Sequence, residues 1–223
     1  ISSVDSKAKL DNMSGSIENG SRPFSISNAK ANESWTQGHG TQITRTSHPS
    51  LDLAIDLLWS VSIGKGDQSR HRITAEPVVF EGKIFTVDSL MVLSATTKDG
   101  KILWRKDLTP DGESSGEVSG AGLAAGAGKI FVTTAYGLLH AIDPSSGQEI
   151  WSQRLLGSGS TRPAYYDGLV YLVSNDESAW SVDAETGRVN WTLDNFSDVN
   201  NLISNSAPAL SEKFAIFGYS YGE

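Results

Sequence analysis

There is no cysteine among the 223 residues, which excludes disulfide staples, thiolate metal sites and a cysteine nucleophile within this sequence. Long apolar runs are missing too. A membrane-spanning helix needs about 20 consecutive apolar residues, and the longest stretches here are strand-sized, such as Leu169-Val170-Tyr171-Leu172-Val173. No charged segment followed by an apolar core opens the sequence in the manner of a signal peptide. Positive charge is the scarcer sign: 18 Lys and Arg stand against 26 Asp and Glu, for a formal net charge of −8. The basic residues are scattered, whereas nucleic-acid binding needs clustered cations to meet several phosphates. That class of partner is set aside.

Residues 1–34 differ from the rest. They hold nine Ser, four Asn and equal numbers of acidic and basic residues, with no hydrophobic period. Such a stretch buries too little apolar surface to offset its ordering entropy, and it reads as a flexible N-terminal arm. The remaining residues, 35–223, carry the whole net negative charge, with 14 basic and 22 acidic side chains.

A repeat begins at Trp59. Trp59, Trp104, Trp151 and Trp191 lie 45, 47 and 40 residues apart. Four residues before each of the last three stands a glycine: Gly100, Gly147 and Gly187. Asp143 and Asp183 stand eight residues before Trp151 and Trp191, and Thr96 takes that place in the first copy. Upstream in each copy, Gly82, Gly128 and Gly168 precede the β-branched and aromatic runs Ile84-Phe85, Ile130-Phe131 and Val170-Tyr171. Aspartate bonding a turn's own amides, with glycine at its positive-φ position, makes the stretch from Asp143 to Gly147 a tight turn between two strands. A period near 40–47 residues with four short strands per copy predicts an all-β fold, a β-propeller of four-stranded antiparallel blades. The predicted repeats run over 35–61, 72–108, 118–155, 159–193 and 204–223, about three full blades and two partial ones. Closing a propeller takes four or more blades, and the last copy stops after Tyr219-Ser220-Tyr221-Gly222-Glu223. The chain is therefore expected to be part of a longer protein.

The stretches Ala141-Ile142-Asp143-Pro144-Ser145-Ser146-Gly147-Gln148-Glu149-Ile150-Trp151 and 181–191 resemble the pyrroloquinoline-quinone-type propeller repeat. In that family the tryptophan docks between adjacent blades. The resemblance therefore implies a structural blade-docking role for Trp59, Trp104, Trp151, Trp191, their glycines Gly100, Gly147 and Gly187, and the turn aspartates Asp143 and Asp183. A narrower resemblance, to the BamB-type outer-membrane assembly lipoproteins of the alphaproteobacterial branch, rests on three segments. They are Ala31-Asn32-Glu33-Ser34-Trp35-Thr36-Gln37, Leu58-Trp59-Ser60-Val61-Ser62-Ile63-Gly64 and Arg72-Ile73-Thr74-Ala75-Glu76-Pro77-Val78-Val79. It implies an eight-bladed propeller in the intact protein, a non-catalytic scaffold role at the periplasmic face of the outer membrane, and a BamA-like partner. Membrane association would come only through an N-terminal lipid outside this chain.

In BamB-like proteins the loop before the blade that begins Ser-Ala-Pro grips the partner through leucines and an arginine. Here that blade begins Ser206-Ala207-Pro208, so the resemblance implies partner-binding roles for Asn200, Leu202 and Ile203. Leu202 keeps one leucine, Asn200 replaces the other, and Ile203 stands in the place of the arginine.

Two alternatives share the repeat: a quinone-dependent dehydrogenase and the sensor domain of a larger receptor. The dehydrogenase family stacks its quinone between a tryptophan and a vicinal Cys-Cys disulfide, often beside calcium. This sequence offers no such pair, so no cofactor and no metal are expected. None of His39, His48, His71 and His140 has a second histidine at ligand spacing. His140 falls eleven residues before Trp151, the offset of Leu93 and Trp180 in the other copies, and reads as a strand side chain. The glycine-rich stretch 119–128 is followed by a strand rather than the helix that a phosphate-cradling loop needs. Its small residues are expected to let neighbouring blades approach.

Overall fold

The computed structural model describes residues 25–38, 48–51, 56–155, 157, 161–194 and 206–219. Within them lie fourteen strands, arranged as three four-stranded antiparallel meanders and one hairpin. The first blade is β1 (Val78–Phe80), β2 (Lys83–Val87), β3 (Val92–Thr97) and β4 (Ile102–Asp107). The second is β5 (Ala121–Gly126), β6 (Lys129–Thr134), β7 (Leu138–Ile142) and β8 (Glu149–Arg154). The third is β9 (Ala164–Tyr166), β10 (Leu169–Val173), β11 (Ala179–Asp183) and β12 (Val189–Leu193), and β13 (Ala209–Leu210) with β14 (Ala215–Ile216) starts a fourth. Strands are hydrogen-bonded in sequence order within each blade. The fold is the expected β-propeller.

Local chemistry explains the hairpins. Between the first and second strands of each blade, two residues with positive φ close a tight turn: Glu81-Gly82, Ala127-Gly128 and Asp167-Gly168. Positive φ at both central residues is the primed turn whose twist matches that of the strands, and glycine at the second position removes the steric cost.

Strand alternation divides the core in two. On β6, Ile130 and Val132 join the cluster shared with Phe85, Met91 and Leu93 of the first blade. The intervening Phe131 faces the third blade, with Val170, Leu172 and Val182. Successive side chains of a strand point to opposite faces, so each middle blade buries both. Burial of one such aliphatic or aromatic side chain contributes about 1.5–3 kcal/mol.

The first strands of consecutive blades, β1, β5, β9 and β13, lie against one another in turn and form the inner wall. Close approach is possible because β5 reads Ala-Gly-Leu-Ala-Ala-Gly, every residue buried. A Cβ on Gly122 would stand 2.4 Å from the Thr161 carbonyl oxygen, and one on Gly126 would stand 2.1 Å from the Tyr165 ring.

Residues 35–38 run across this inner wall. Trp35 exchanges backbone hydrogen bonds with Val79 of β1 (2.8 and 2.7 Å), and the Thr36 carbonyl accepts from the Ala125 amide of β5 (2.6 Å). The Gln37 side-chain oxygen then accepts from the Tyr165 amide of β9 (2.8 Å). Gln37 is buried, at 4% exposure. Three successive residues thus tie three successive blades. Gln37→Ala removes the acceptor of a part-buried amide and should cost about 1–3 kcal/mol in urea denaturation, with Gln37→Glu retaining part of it. Unchanged stability in the alanine variant would show that the Gln37 bond to the third blade contributes nothing.

Candidate functional site

The repeat tryptophans lie at the blade junctions. Each of the first three rests on the glycine of the following blade's outer turn. A Cβ on Gly100 would stand 2.8 Å from the Trp59 ring, one on Gly147 2.7 Å from Trp104, and one on Gly187 2.7 Å from Trp151. These glycines have φ of 81°, 73° and 73°, so both the ring's approach and the backbone conformation require glycine there. The indole N–H of each tryptophan donates to a carbonyl of the same turn: Trp59 to Lys98 (2.6 Å), Trp104 to Pro144 (3.3 Å) and Trp151 to Ala184 (3.2 Å). All four repeat tryptophans are half-buried. Trp191 meets Phe217 of the next hairpin edge-on, with ring centroids 6.0 Å apart.

The turn that receives the tryptophan is built by its aspartate. Asp143 Oδ1 accepts from the amides of Ser145 (3.0 Å) and Ser146 (2.6 Å) and from the Ser146 hydroxyl (2.8 Å). Asp183 repeats the pattern with Glu185 and Thr186. These bonds favour the carboxylate and hold both groups below the usual aspartate range, those from Ser146 and Thr186 contributing most. The first blade differs from the expectation that placed Thr96 here. Its turn is one residue shorter: the Gly100 amide bonds the Thr97 carbonyl, and Thr97 Oγ1 accepts from the Lys101 amide (3.0 Å). Thr97, not Thr96, therefore plays the aspartate's part.

Behind each tryptophan a cross-strand row supports the ring. Phe85, Ala95 and Trp104 stand in register, as do Phe131, Ala141 and Trp151, and Tyr171, Ser181 and Trp191. The middle residue is small, so the flanking rings meet over it at centroid distances of 5.9, 6.0 and 6.1 Å. Lys129, 7% exposed, adds a bond across the second junction to Glu185 (2.5 Å).

The residues expected to hold a partner, Asn200, Leu202 and Ile203, lie outside the described residues. So does His39. His48 bonds the Ser27 carbonyl, and His71 bonds that of Gly116 (2.5 Å). His140 is more than a strand side chain. It is 4% exposed, and its Nδ1 lies 2.7 Å from Glu149 Oε2. Register pairs His140 with Ser152, which makes its counterparts Ser94 and Trp180 rather than Leu93. The shorter first turn shifts the count. Glu149 likewise replaces Ile102 and Val189 of the sister blades. Two departures from the repeat that touch each other were the signal available in the sequence.

Burial disfavours the charged imidazole and lowers the His140 pKa, although Glu149 opposes it. Burial alone would raise Glu149, but hydrogen bonds from His140 and Ser152 outweigh it and leave its carboxyl below the ordinary range. Among the described residues no group of three or more His, Cys, Asp or Glu is placed to hold a metal ion.

Comparison with known proteins places this architecture. The family of outer membrane protein assembly factor BamB matches residues 91–223. The chain belongs to that family. The BamB of Yersinia pestis is 27% identical over 173 residues, covering 74% of this chain and 43% of that protein. The quinohemoprotein alcohol dehydrogenase ADH-IIG of Pseudomonas putida is 28% identical over 155 residues, covering 61% of this chain and 21% of the enzyme. Among solved structures, the quinohemoprotein alcohol dehydrogenase from Comamonas testosteroni superposes with a TM-score of 0.56 at 25% identity, over 75% of this chain and 28% of that one. The chain spans less than half the length of these relatives.

Two glycines isolate the docking energy. Gly128 (φ 68°) has nothing within 4 Å of a Cβ, whereas Gly147 (φ 73°) faces the Trp104 ring. Alanine at either should cost about 1–2 kcal/mol for the left-handed backbone; Gly147→Ala should lose clearly more, towards the loss of about 3 kcal/mol expected for Trp104→Ala. Equal losses at the two glycines, read from denaturant midpoints, would deny the ring contact its role. A second expectation concerns pH. The folded His140 pKa lies below its unfolded value near 6.5, so its contribution is complete above that pH and lost as pH falls towards the folded value. His140→Gln should flatten the fall in stability below about pH 6.5, measured by melts across a pH series.

Proposed function

We propose that this chain is the blade-bearing part of a non-catalytic scaffold in the machinery that assembles outer-membrane proteins, at the periplasmic face of the outer membrane. Its partner in this reading is a BamA-like protein, held by loops between blades, and an intact propeller of eight blades supports them. Family membership over 91–223 is the observation that carries the proposal. The repeat tryptophans Trp59, Trp104 and Trp151 each lay a ring against the next blade's glycine and donate the indole N–H to the same turn, so blade docking accounts for them in either reading.

The dehydrogenase reading has its own support in the Pseudomonas putida relative. The two readings share the blade, because the similarity follows strands and docking tryptophans that any such propeller needs, and function resides in sites added to a fold. The two readings separate on the vicinal cysteines of the dehydrogenase pattern, which this sequence lacks.

In the scaffold reading, Leu202 and Ile203 present large apolar side chains to the partner and Asn200 flanks them, in a loop whose composition suits a contact patch. Leu202→Asp with Ile203→Asp in the intact protein should weaken binding to a BamA-like periplasmic domain by tenfold or more, about 1.4 kcal/mol, with an unchanged melting temperature. Unaltered affinity in a correctly folded variant would remove this loop from the interface. Incubation with pyrroloquinoline quinone and calcium should give no alcohol-dependent dye reduction above a heat-killed control; turnover would transfer the assignment to the dehydrogenase reading.

A further inference from the structure

The second blade departs from its sisters at one buried position. His140 of β7 stands in register with Val132 of β6 on one side and Ser152 of β8 on the other. The imidazole is buried, and its Nδ1 meets Glu149 of β8. Glu149, below the usual carboxylate range, is an acceptor, so Nδ1 carries the hydrogen. Nε2 is buried and, among the described residues, has no hydrogen-bond partner. Protonation would place a second N–H there, on a charged ring and without an acceptor, which is the costlier of the two states. Nothing at this place titrates in the sister blades. The Ser94 hydroxyl donates to the Ile63 carbonyl in the first, and the Trp180 indole donates to Ser174 Oγ (2.8 Å) in the third.

Few charged groups surround the ring. Glu149 of β8, Lys106 and Asp107 at the end of β4, and Asp111 of the following loop line the same cleft as His140. Val132 of β6 brings no charge. Burial is the dominant influence and disfavours the imidazolium; Glu149 favours it, and Lys106 adds to the opposition.

The element that must move to hydrate the ring is β8. It is the outer strand of its blade, bonded to β7 alone, and its residues are exposed or half-buried. Such strands open at lower free energy than a core strand. It supplies the Glu149 partner and the Ser152 neighbour, and Ser152 bonds Glu149 in turn. The same strand carries Trp151, whose ring rests on Gly187 and whose N–H donates to the Ala184 carbonyl of the third blade. Opening β8 therefore also undocks the second blade from the third.

We propose that His140 makes β8 a proton-gated latch between the second and third blades. The neutral ring and Glu149 hold β8 closed. In acid, opening of β8 is the route by which His140 reaches water and takes up its proton, and Trp151 leaves its turn. The folded group binds its proton less tightly than the free one, so the latch is fully closed above about pH 6.5 and loosens as pH falls towards the folded value. It stands whichever reading of the repeat holds.

Hydrogen exchange of the intact protein, read residue by residue by NMR and corrected for the intrinsic pH dependence of amide exchange, tests the latch. The opening constant of the β8 amides should rise about five- to tenfold from about pH 7.5 to about pH 5.5. Those of β4 and β12, the outer strands of the sister blades, should change about twofold at most. The Trp151 indole N–H should exchange in step with β8. In His140→Gln, β8 should lose its acid response. A measurement on the unsubstituted protein complements the variant: long-range proton–nitrogen correlation should show the His140 ring still neutral where a free histidine is protonated. An equal acid response in all three strands, a β8 response that survives His140→Gln, or a Trp151 indole that stays protected while β8 opens would each overturn the proposal. So would a ring that protonates along the free-histidine curve while β8 stays protected.

Discussion

An indole laid on a glycine is the contact on which the rest of this structure depends. A propeller blade is a small sheet with two faces, and neither face is stable in water. Each blade must find its neighbour in one register, and the tryptophan that ends one blade supplies that register. Its ring fits only where the next blade has no Cβ, and its N–H reaches only a carbonyl of that same turn. Apolar burial provides most of the free energy, but it is non-directional. The ring and the turn supply direction.

The inner wall obeys a related constraint. First strands converge, so the second blade's first strand is built from alanine, glycine and a single leucine. The same crowding makes it possible for residues 35–38 to bind three blades with three consecutive residues. Further out the blades diverge, and the space between them widens into clefts. The His140–Glu149 pair lines one such cleft, in a region where a repeat protein has freedom to depart from its own pattern.

Much of the blade was legible because it repeats. Period, turn chemistry and the spacing of glycine to tryptophan are local, and each copy checks the others. The errors arose where a copy changes length. Thr97 takes the aspartate's part, and Ser94 is the counterpart of His140, because the first outer turn closes on a three-residue rather than a four-residue span. Counting back from the tryptophan carries that difference into every position upstream. Strand pairing does not, since hydrogen bonds restore the register after the turn.

The sequence alone determined the class of fold, the strand order within a blade, the chemistry of the two aspartate turns and the spacing of the repeat tryptophans. All of these follow from side-chain preferences acting over a few residues and reinforced by repetition. Tertiary structure decided which residues meet across blades. It brought Gln37 to Tyr165 and Lys129 to Glu185, and it set the cleft of His140 against the loop after β4. Such contacts depend on the angle and spacing between sheets, quantities that no local pattern carries. They arise only when packed faces, crowded at the inner wall and splayed at the rim, settle into a common arrangement.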